Sequence, residues 1–371
     1  MSLLTHLANV PDFRQQNSNF RHQLLDILVI RVLAVLSGAD DFEEIAWFGQ
    51  QKMSLLRRYL RLEHGPPSHD TFRRVFQHLD AAAFNACFLA WMRELLPPEQ
   101  VGQVCVDGKT RRGSGPNGRH VVWAVASASG LSLGQVAAAG KGQELAAIPD
   151  VLALLDLSGG TLVSLDALGC PPAIAGRIRQ QGGDYRLALK GNQAGLRAEA
   201  DRALDALPAA NVFETGDFAA HNTPIRYRVG VQTDLRWVDE AGRWPDLAVL
   251  VRVETTRHPV GSAAEPPVVR DYLSSRAALT PAQAHAAVRG HWAIENKLHW
   301  HLDVTLTEDA HRLRDVLAAR NLTLVRKMAL NLLARDPQRV SVKKKRKRLA
   351  WDEAYLEELL DHICHQLHQC V

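Results

Sequence analysis

No stretch of this chain reaches the roughly 18 uninterrupted apolar residues that a membrane-spanning helix needs. The opening run MSLLTHLANVPDF has no basic segment leading into an apolar one, so no secretory leader is read there. Cysteine is sparse: Cys87, Cys105, Cys170, Cys364 and Cys370 are five in number and scattered. An odd, scattered set argues against a disulfide framework. Cys105 and Cys170 lie beside apolar runs, as buried thiols of a reducing compartment do. The expected setting is the cytoplasm, with no membrane partner. Charge excess is also missing from most of the chain. The net charge of +4 comes from 44 Lys and Arg against 40 Asp and Glu, and six of those cations form the run KKKRKR at 343–348. Without that run the balance is 38 against 40, so the body is nearly neutral. Such a run is usually a solvated, flexible segment, and it also suits phosphate backbones.

Two familiar signatures are absent or out of place. The sequence has no H-E-x-x-H, which lowers the case for a zinc hydrolase. GSGPNG at 113–118 matches G-x-G-x-x-G by letter, but it lies between two strand-like runs instead of opening a helix, so the dinucleotide reading fails on context.

Five regions follow from pattern. Residues 1–96 read as an all-α N-terminal domain. HQLLDILVIRVLAVLSG has helical apolar spacing and stops at Gly38. FEEIAWFGQQKMSLLRRYLRL is a second amphipathic run, HGPPS a turn, and Ser68 or Asp70 a cap for the helix carrying Arg73 and Arg74. That helix is a candidate DNA contact, or else the solvated face of an α-hairpin. Residues 97–205 give the order β-β-β-α-β-α-β, starting with VGQVCVD, HVVWAVAS and LSLGQVAAA, with Ser129-Gly130 as a hairpin signal. A meander followed by right-handed crossovers builds one mixed sheet in which the fourth strand can lie beside the first. This is the layout of a ribonuclease H-like α/β core. Residues 206–280 alternate apolar and polar residues, as antiparallel strands do, and form a β-rich insertion. Residues 281–340 return to helix from a Thr280-Pro281 cap, and 341–371 hold the basic run and a last helix.

Three acids carry the chemistry. Asp107 ends VGQVCVD, Asp166 ends TLVSLD, and Glu295 lies in the helix-like HWAIENKLHWHLD. Two strand-end aspartates plus a helix glutamate suit a two-metal phosphoryl-transfer site, which needs hard oxygens converging on divalent ions. Either aspartate alone is more often an ordinary turn residue. Glu295, flanked by Trp292, Ile294 and Leu298, is expected near a buried face, where an acid is costly unless paired or coordinated. His291, Glu295 and His299 form a stripe at spacing four, a competing zinc site or a polar seam. His362, Cys364, His365, His368 and Cys370 cluster at the C-terminus with no common zinc spacing. Lys109, Arg111 and Arg112 beside Asp107 are phosphate-contact candidates or mere charge balance, and Lys190 after a later strand faces DNA or simply caps the sheet. Trp292 and Trp300 are expected in the core more than stacked on bases.

RHQLLDIL, GPPSHDTFRRVF, VDGKTRRGS, LVSLDALG, YRLALKGNQ, RGHWAIENKLHWHLDVTLTED and NLTLVRKMALNLL stand in an order that resembles DDE transposases of ISAs-type insertion sequences, the H-repeat-associated proteins of bacteria. The resemblance implies a helical associated domain, a ribonuclease H-like catalytic core and an insertion before the glutamate. It implies that Asp107, Asp166 and Glu295 are the catalytic, metal-holding triad, with Mg²⁺ as cofactor and Mn²⁺ as substitute. Lys109 and Arg112 match its DGK-x-x-R segment, and Lys190 and Asn192 its K-x-NQ segment. The chain departs from the family at Gly169-Cys170-Pro171-Pro172, where GCQ is usual, and at Gly142-Gln143-Glu144, where S-N-E is usual. The expected function is metal-dependent cleavage at element ends and strand transfer to target DNA by a dimer or larger assembly. Arg73, Arg74, Lys343, Lys344, Lys345, Arg346, Lys347 and Arg348 complete the expected DNA contacts. A catalytically silent DNA-binding relative and a non-transposing nuclease on the same fold are the alternatives.

Overall fold

The computed structural model describes residues 3–17, 20–111, 119–138, 140, 142–166, 168, 170–218, 223–309, 313 and 315–364. Six helices come first: α1 (Leu3–Ala8), α2 (Leu24–Leu36), α3 (Phe42–Gln51), α4 (Met53–Leu56), α5 (His69–His78) and α6 (Ala81–Leu95). Gly38, at φ +108°, takes the left-handed backbone that ends α2. Ser68 caps α5 by accepting from the Thr71 amide at 3.4 Å.

The strands β1 (Gln103–Arg111), β2 (Arg119–Ala126), β3 (Ser132–Ala138), β4 (Leu162–Leu165), β5 (Asp184–Leu189), β6 (Val212–Phe218), β7 (Pro224–Gln232), β8 (Val249–Arg257) and β9 (Val268–Ser274) form one mixed sheet. Its order is β3-β2-β1-β4-β5-β9-β8-β7-β6. β1, β4 and β5 run parallel, and every other neighbour is antiparallel. Helices α7 (Glu144–Ala153) and α8 (Pro172–Gln180) make the crossovers into β4 and β5. The fourth strand thus lies beside the first. The segment 206–280 continues the same sheet beyond β5 instead of folding apart from it.

α9 (Ala194–Asp205) follows β5; α10 (Pro281–Ile294), α11 (Val316–Arg335), α12 (Val342–Trp351) and α13 (Glu353–Cys364) close the chain. α10 opens with a capping box, Thr280 against Gln283, and Pro281 in its first turn. One apolar core joins α2, α5 and α6 to α11 and α13 and to Trp123 and Cys105 on the sheet. A second core packs α7, α8 and α9 on the opposite face.

The basic run at 343–348 is helical and partly buried, not a loose tail. Lys345 is buried and donates to the carbonyls of Leu333 and Asp336 at 3.0 and 2.7 Å, at the end of α11. Arg346 donates to Val35 and Thr305 carbonyls and pairs with Asp40 at 2.9 Å. Helix C-termini leave carbonyls without partners, and cations satisfy them. Lys343, Lys344, Lys347 and Arg348 remain exposed, the last paired with Asp352.

Candidate active site

β1 and β4 place the two aspartates. Their register pairs Val106 with Leu165, so Asp107 and Asp166 stand level one residue on, facing the same side. Asp107 lies inside β1, because the ladder with β2 runs on to Arg111 and Arg119. Asp166 follows β4 and accepts from the Leu168 amide at 3.0 Å in a tight turn. Both line a cavity of about 80 Å³, together with Glu144 at the start of α7.

Glu295 comes from the helix that crosses this sheet face. Gln103 Nε2 donates to the Ala287 carbonyl at 2.9 Å, and Ser127 Oγ and Cys105 Sγ donate to the Gly290 carbonyl at 2.9 and 3.3 Å. Gly290 permits this approach, since a Cβ there would meet Ser127 Oγ at 2.5 Å. Beyond α10 the helix widens to π winding over Glu295–His299 and His301–Thr305. Such winding is rare and recurs at functional sites. Lys297 pins it to the β2–β3 turn through the Ser127 and Ala128 carbonyls, both at 2.8 Å.

Burial pushes the Asp107 carboxyl above the ordinary range. The charges of Asp166 and Glu295 push it further, against His299 and the Gly108 amide. The three acids therefore share one electrostatic neighbourhood. They do not yet close on a point: among the described residues no three His, Cys, Asp or Glu side chains stand at ion-holding spacing. Glu295 is instead held by His299, whose Nδ1 lies 3.0 Å from Oε2. His299 is itself buried edge-on against Trp123. The Glu295 side chain is 67% exposed, so only Ile294 and Leu298 take the buried face expected for this segment.

The zinc-like stripe diverges. His291 turns to Ser164 Oγ at 3.0 Å, and burial lowers its imidazole to about 3, whereas His299 faces Glu295. Of the C-terminal cluster, the Cys364 side chain and residues 365–371 lie outside the described residues.

The expected phosphate contacts divide. Lys109 is turned inward and pairs with Asp303 at 2.5 Å, so its charge is already matched within the π segment. Arg112, the loop 113–118 and the Arg111 side chain lie outside the described residues. Lys190 and Asn192 are exposed just after β5, at the sheet edge where Asp166 follows β4. Arg73 pairs with Asp70 at 3.0 Å, and Arg74 is exposed. Trp292 and Trp300 are exposed, not in the core, and Arg270 lies over the Trp292 ring at 5.5 Å. Pro171 and Pro172 occupy the start of α8, where a missing amide costs nothing. The Cys170 carbonyl there accepts from Trp244 Nε1 at 2.9 Å.

Glu144 is the residue that motif reading passed over. It lies in the carboxylate cavity against Gly108, whose added Cβ would meet its Cγ at 2.8 Å, and His120 approaches it at 3.7 Å. Its signals in the sequence are a helix-opening acid after the third strand and its place as the acid of the segment where S-N-E is usual.

A mixed sheet with acids at the junction of two parallel strands and a crossing helix defines a class of carboxylate-based α/β proteins. The family model described as Transposase DDE domain matches residues 96–332, and that described as DDE_Tnp_1-associated matches 4–92. YncI of Escherichia coli O157:H7, provisionally named a transposase, is 37% identical over 371 residues, covering 97% of this chain and 94% of that one. The H repeat-associated protein YhhI of Escherichia coli K12 is 34% identical, covering 96% and 97%. YbfQ of the same strain, named an inactive transposase, is 41% identical over 73 residues, 20% of this chain and 86% of its own. A piggyBac transposase synaptic complex with hairpin DNA superposes with a TM-score of 0.43 at 11% identity, over 98% of this chain and 80% of that one, a likeness too distant to argue from. The chain belongs to the DDE transposase family, alongside its H repeat-associated members.

Proposed function

We propose that this protein is a DNA transposase that cuts strands at the ends of its element and joins them to target DNA. What carries the reading is that β1 and β4 set Asp107 and Asp166 level in register, while the helix bearing Glu295 is bonded across the same sheet face. On this reading, β3-β2-β1-β4-β5 with its helices is a ribonuclease H-like core, 206–280 an insertion, and 1–96 a helical associated domain. It works on DNA in the bacterial cytoplasm as a dimer or larger assembly.

The residues present fit divalent cations. The donors are hard carboxylate oxygens, and burial, with the neighbouring acids adding to it, disfavours the ionised Asp107. Asp107, Asp166 and Glu295 would hold two Mg²⁺ ions, which supply charge neutralisation at the scissile phosphate and a more acidic attacking water or hydroxyl. The chain's own part is to present and orient. β1 and β4 fix two carboxylates in register. Glu295, steadied by His299 at one oxygen, is presented from the helix that crosses their sheet face. Lys190 and Asn192 face the strand from the neighbouring sheet edge.

The test is strand cleavage of a duplex carrying the inverted repeats that flank the gene. Wild-type protein should nick it with Mg²⁺ and spare a scrambled duplex. Asp107→Ala, Asp166→Ala and Glu295→Ala should lose cleavage and keep end binding. Full cleavage by Asp166→Ala protein would end the triad assignment. Equal cutting of both duplexes would make it a general nuclease.

A further inference from the structure

A second feature lies away from the carboxylates. Residues 13–17 and 20–22 lie over α5 and leave an open cleft of about 740 Å³. Among the described residues no Asp or Glu lines it, whereas Arg14, Arg21, Arg74, His22 and His78 do. In a chain whose body is nearly neutral, that is a concentrated positive surface. Its parts have different jobs. Arg14 holds the segment in shape, bonding Asp12 and the His22 carbonyl at 2.6 and 2.9 Å and lying over Phe20. The nearby acid Asp70 is taken by Arg73. Arg21 and Arg74 are exposed and have no carboxylate partner among the described residues. Phe13, 45% exposed, stacks on His78 at the cleft wall and offers a flat apolar face beside those cations. The surplus charge is felt inside: burial, then His64, Arg14 and Arg21, keep the His22 imidazole below its usual range.

The cleft is also tied to the carboxylates. Asn321 on α11 donates to the Phe76 and Leu79 carbonyls at the end of α5, at 3.2 and 2.9 Å. On the same helix, Lys327 lies 3.9 Å over the Trp123 ring, and Trp123 is the β2 partner of Asp107.

From these observations we infer that the cleft between α5 and the chain at residues 13–17 and 20–22 grips the phosphate backbone of duplex DNA, with Arg21 and Arg74 as the phosphate contacts. The inference rests on DNA being the substrate and says where the helical region holds it. Cations and an aromatic face over an open cleft are the chemistry nucleic-acid backbones select.

The test uses the full chain, a fluorescein-labelled duplex bearing the flanking inverted repeat, and anisotropy over a salt series. The Arg21→Ala/Arg74→Ala protein should bind with a log K against log [salt] slope shallower by about 0.9 for each arginine lost. Arg21→Lys/Arg74→Lys should keep the wild-type slope. Both pairs are exposed, and circular dichroism checks their folding. An unchanged slope in the alanine protein overturns the inference. So does protection of the cleft by inorganic phosphate alone, with duplex binding unaffected, which would assign it to a free anion. Wild-type cleavage with an unchanged alanine slope fells only this inference. A wild-type protein that neither binds nor cuts duplex fells the transposase reading with it.

Discussion

At the residue scale, the His299–Glu295 pair decides how ready the site is. His299 is buried, edge-on to Trp123, and its Nδ1 holds Glu295 at 3.0 Å. Groups that orient a metal-holding side chain typically alter affinity or activity by about 10- to 100-fold when removed. His299→Ala should therefore weaken Mn²⁺ uptake and slow cleavage within that range, with duplex affinity unchanged; unaltered uptake would reduce His299 to packing. His291 bears on stability instead. Burial, then the charge of Arg186, lowers it to about 3, so between pH 6.5 and 3 the unfolded chain binds a proton that the folded chain refuses. That contribution is complete above pH 6.5 and shrinks as pH falls, by at most about 1.4 kcal/mol per unit for one group. Urea unfolding from pH 7 to 5 should thus show a shallower loss for His291→Gln than for wild type. Parallel loss in both would contradict the buried neutral imidazole. The two aspartates were legible at this scale because each ends an apolar run. Glu295 stands apart from Asp303 and Asp309 on the same segment only by family resemblance, and Glu144 shows in the sequence only as part of the Gly142-Gln143-Glu144 departure, because its place in the cavity depends on how α7 packs on β1.

At the element scale, the close approach of α10 to the sheet delivers Glu295. Gly290 has no room for a Cβ against Ser127 Oγ and Gln103 Oε1, at 2.5 and 2.7 Å. Gly290→Ala should shift α10 outward, cutting cleavage more than its stability loss of about 1–3 kcal/mol would suggest; thermal unfolding beside single-turnover rates would show the split, and a wild-type rate would refute it. α12 shows what sequence alone could not give. Six like charges read as solvated, yet Lys345 and Arg346 meet carbonyls at the ends of α11, α2 and the π segment. The Val35 and Thr305 carbonyls come from helix ends remote from α12 in sequence, so only the assembled fold reveals them. Lys345→Ala should cost about 1–3 kcal/mol by leaving one buried and one part-buried carbonyl unpaired. Lys343→Ala and Lys344→Ala, both exposed, should leave the unfolding midpoint within error. Equal effects at all three positions would mean the run acts by charge alone.

At the scale of the whole molecule, the place of β4 beside β1 was readable from the alternation of runs and crossovers, whereas the continuation of the sheet through β9, β8, β7 and β6 was not. The division into regions was not, because helices from both ends of the chain share one core. Leu28, Phe72 and Phe88 pack with Met328, Leu356 and Leu360 there, so deleting residues 1–96 should expose the faces of α11 and α13. The remainder should elute aggregated in gel filtration; a stable monomer would show that the core divides after all. In the proposed function, Asp107, Asp166 and Glu295, from distant parts of the chain, gather around divalent ions. Titration of free Mn²⁺ by electron paramagnetic resonance tests it most directly. Wild-type protein should take up Mn²⁺, and the folded Asp107→Ala/Asp166→Ala/Glu295→Ala protein should bind at least about tenfold more weakly. Identical isotherms for the two proteins, or no uptake by wild type, would contradict it.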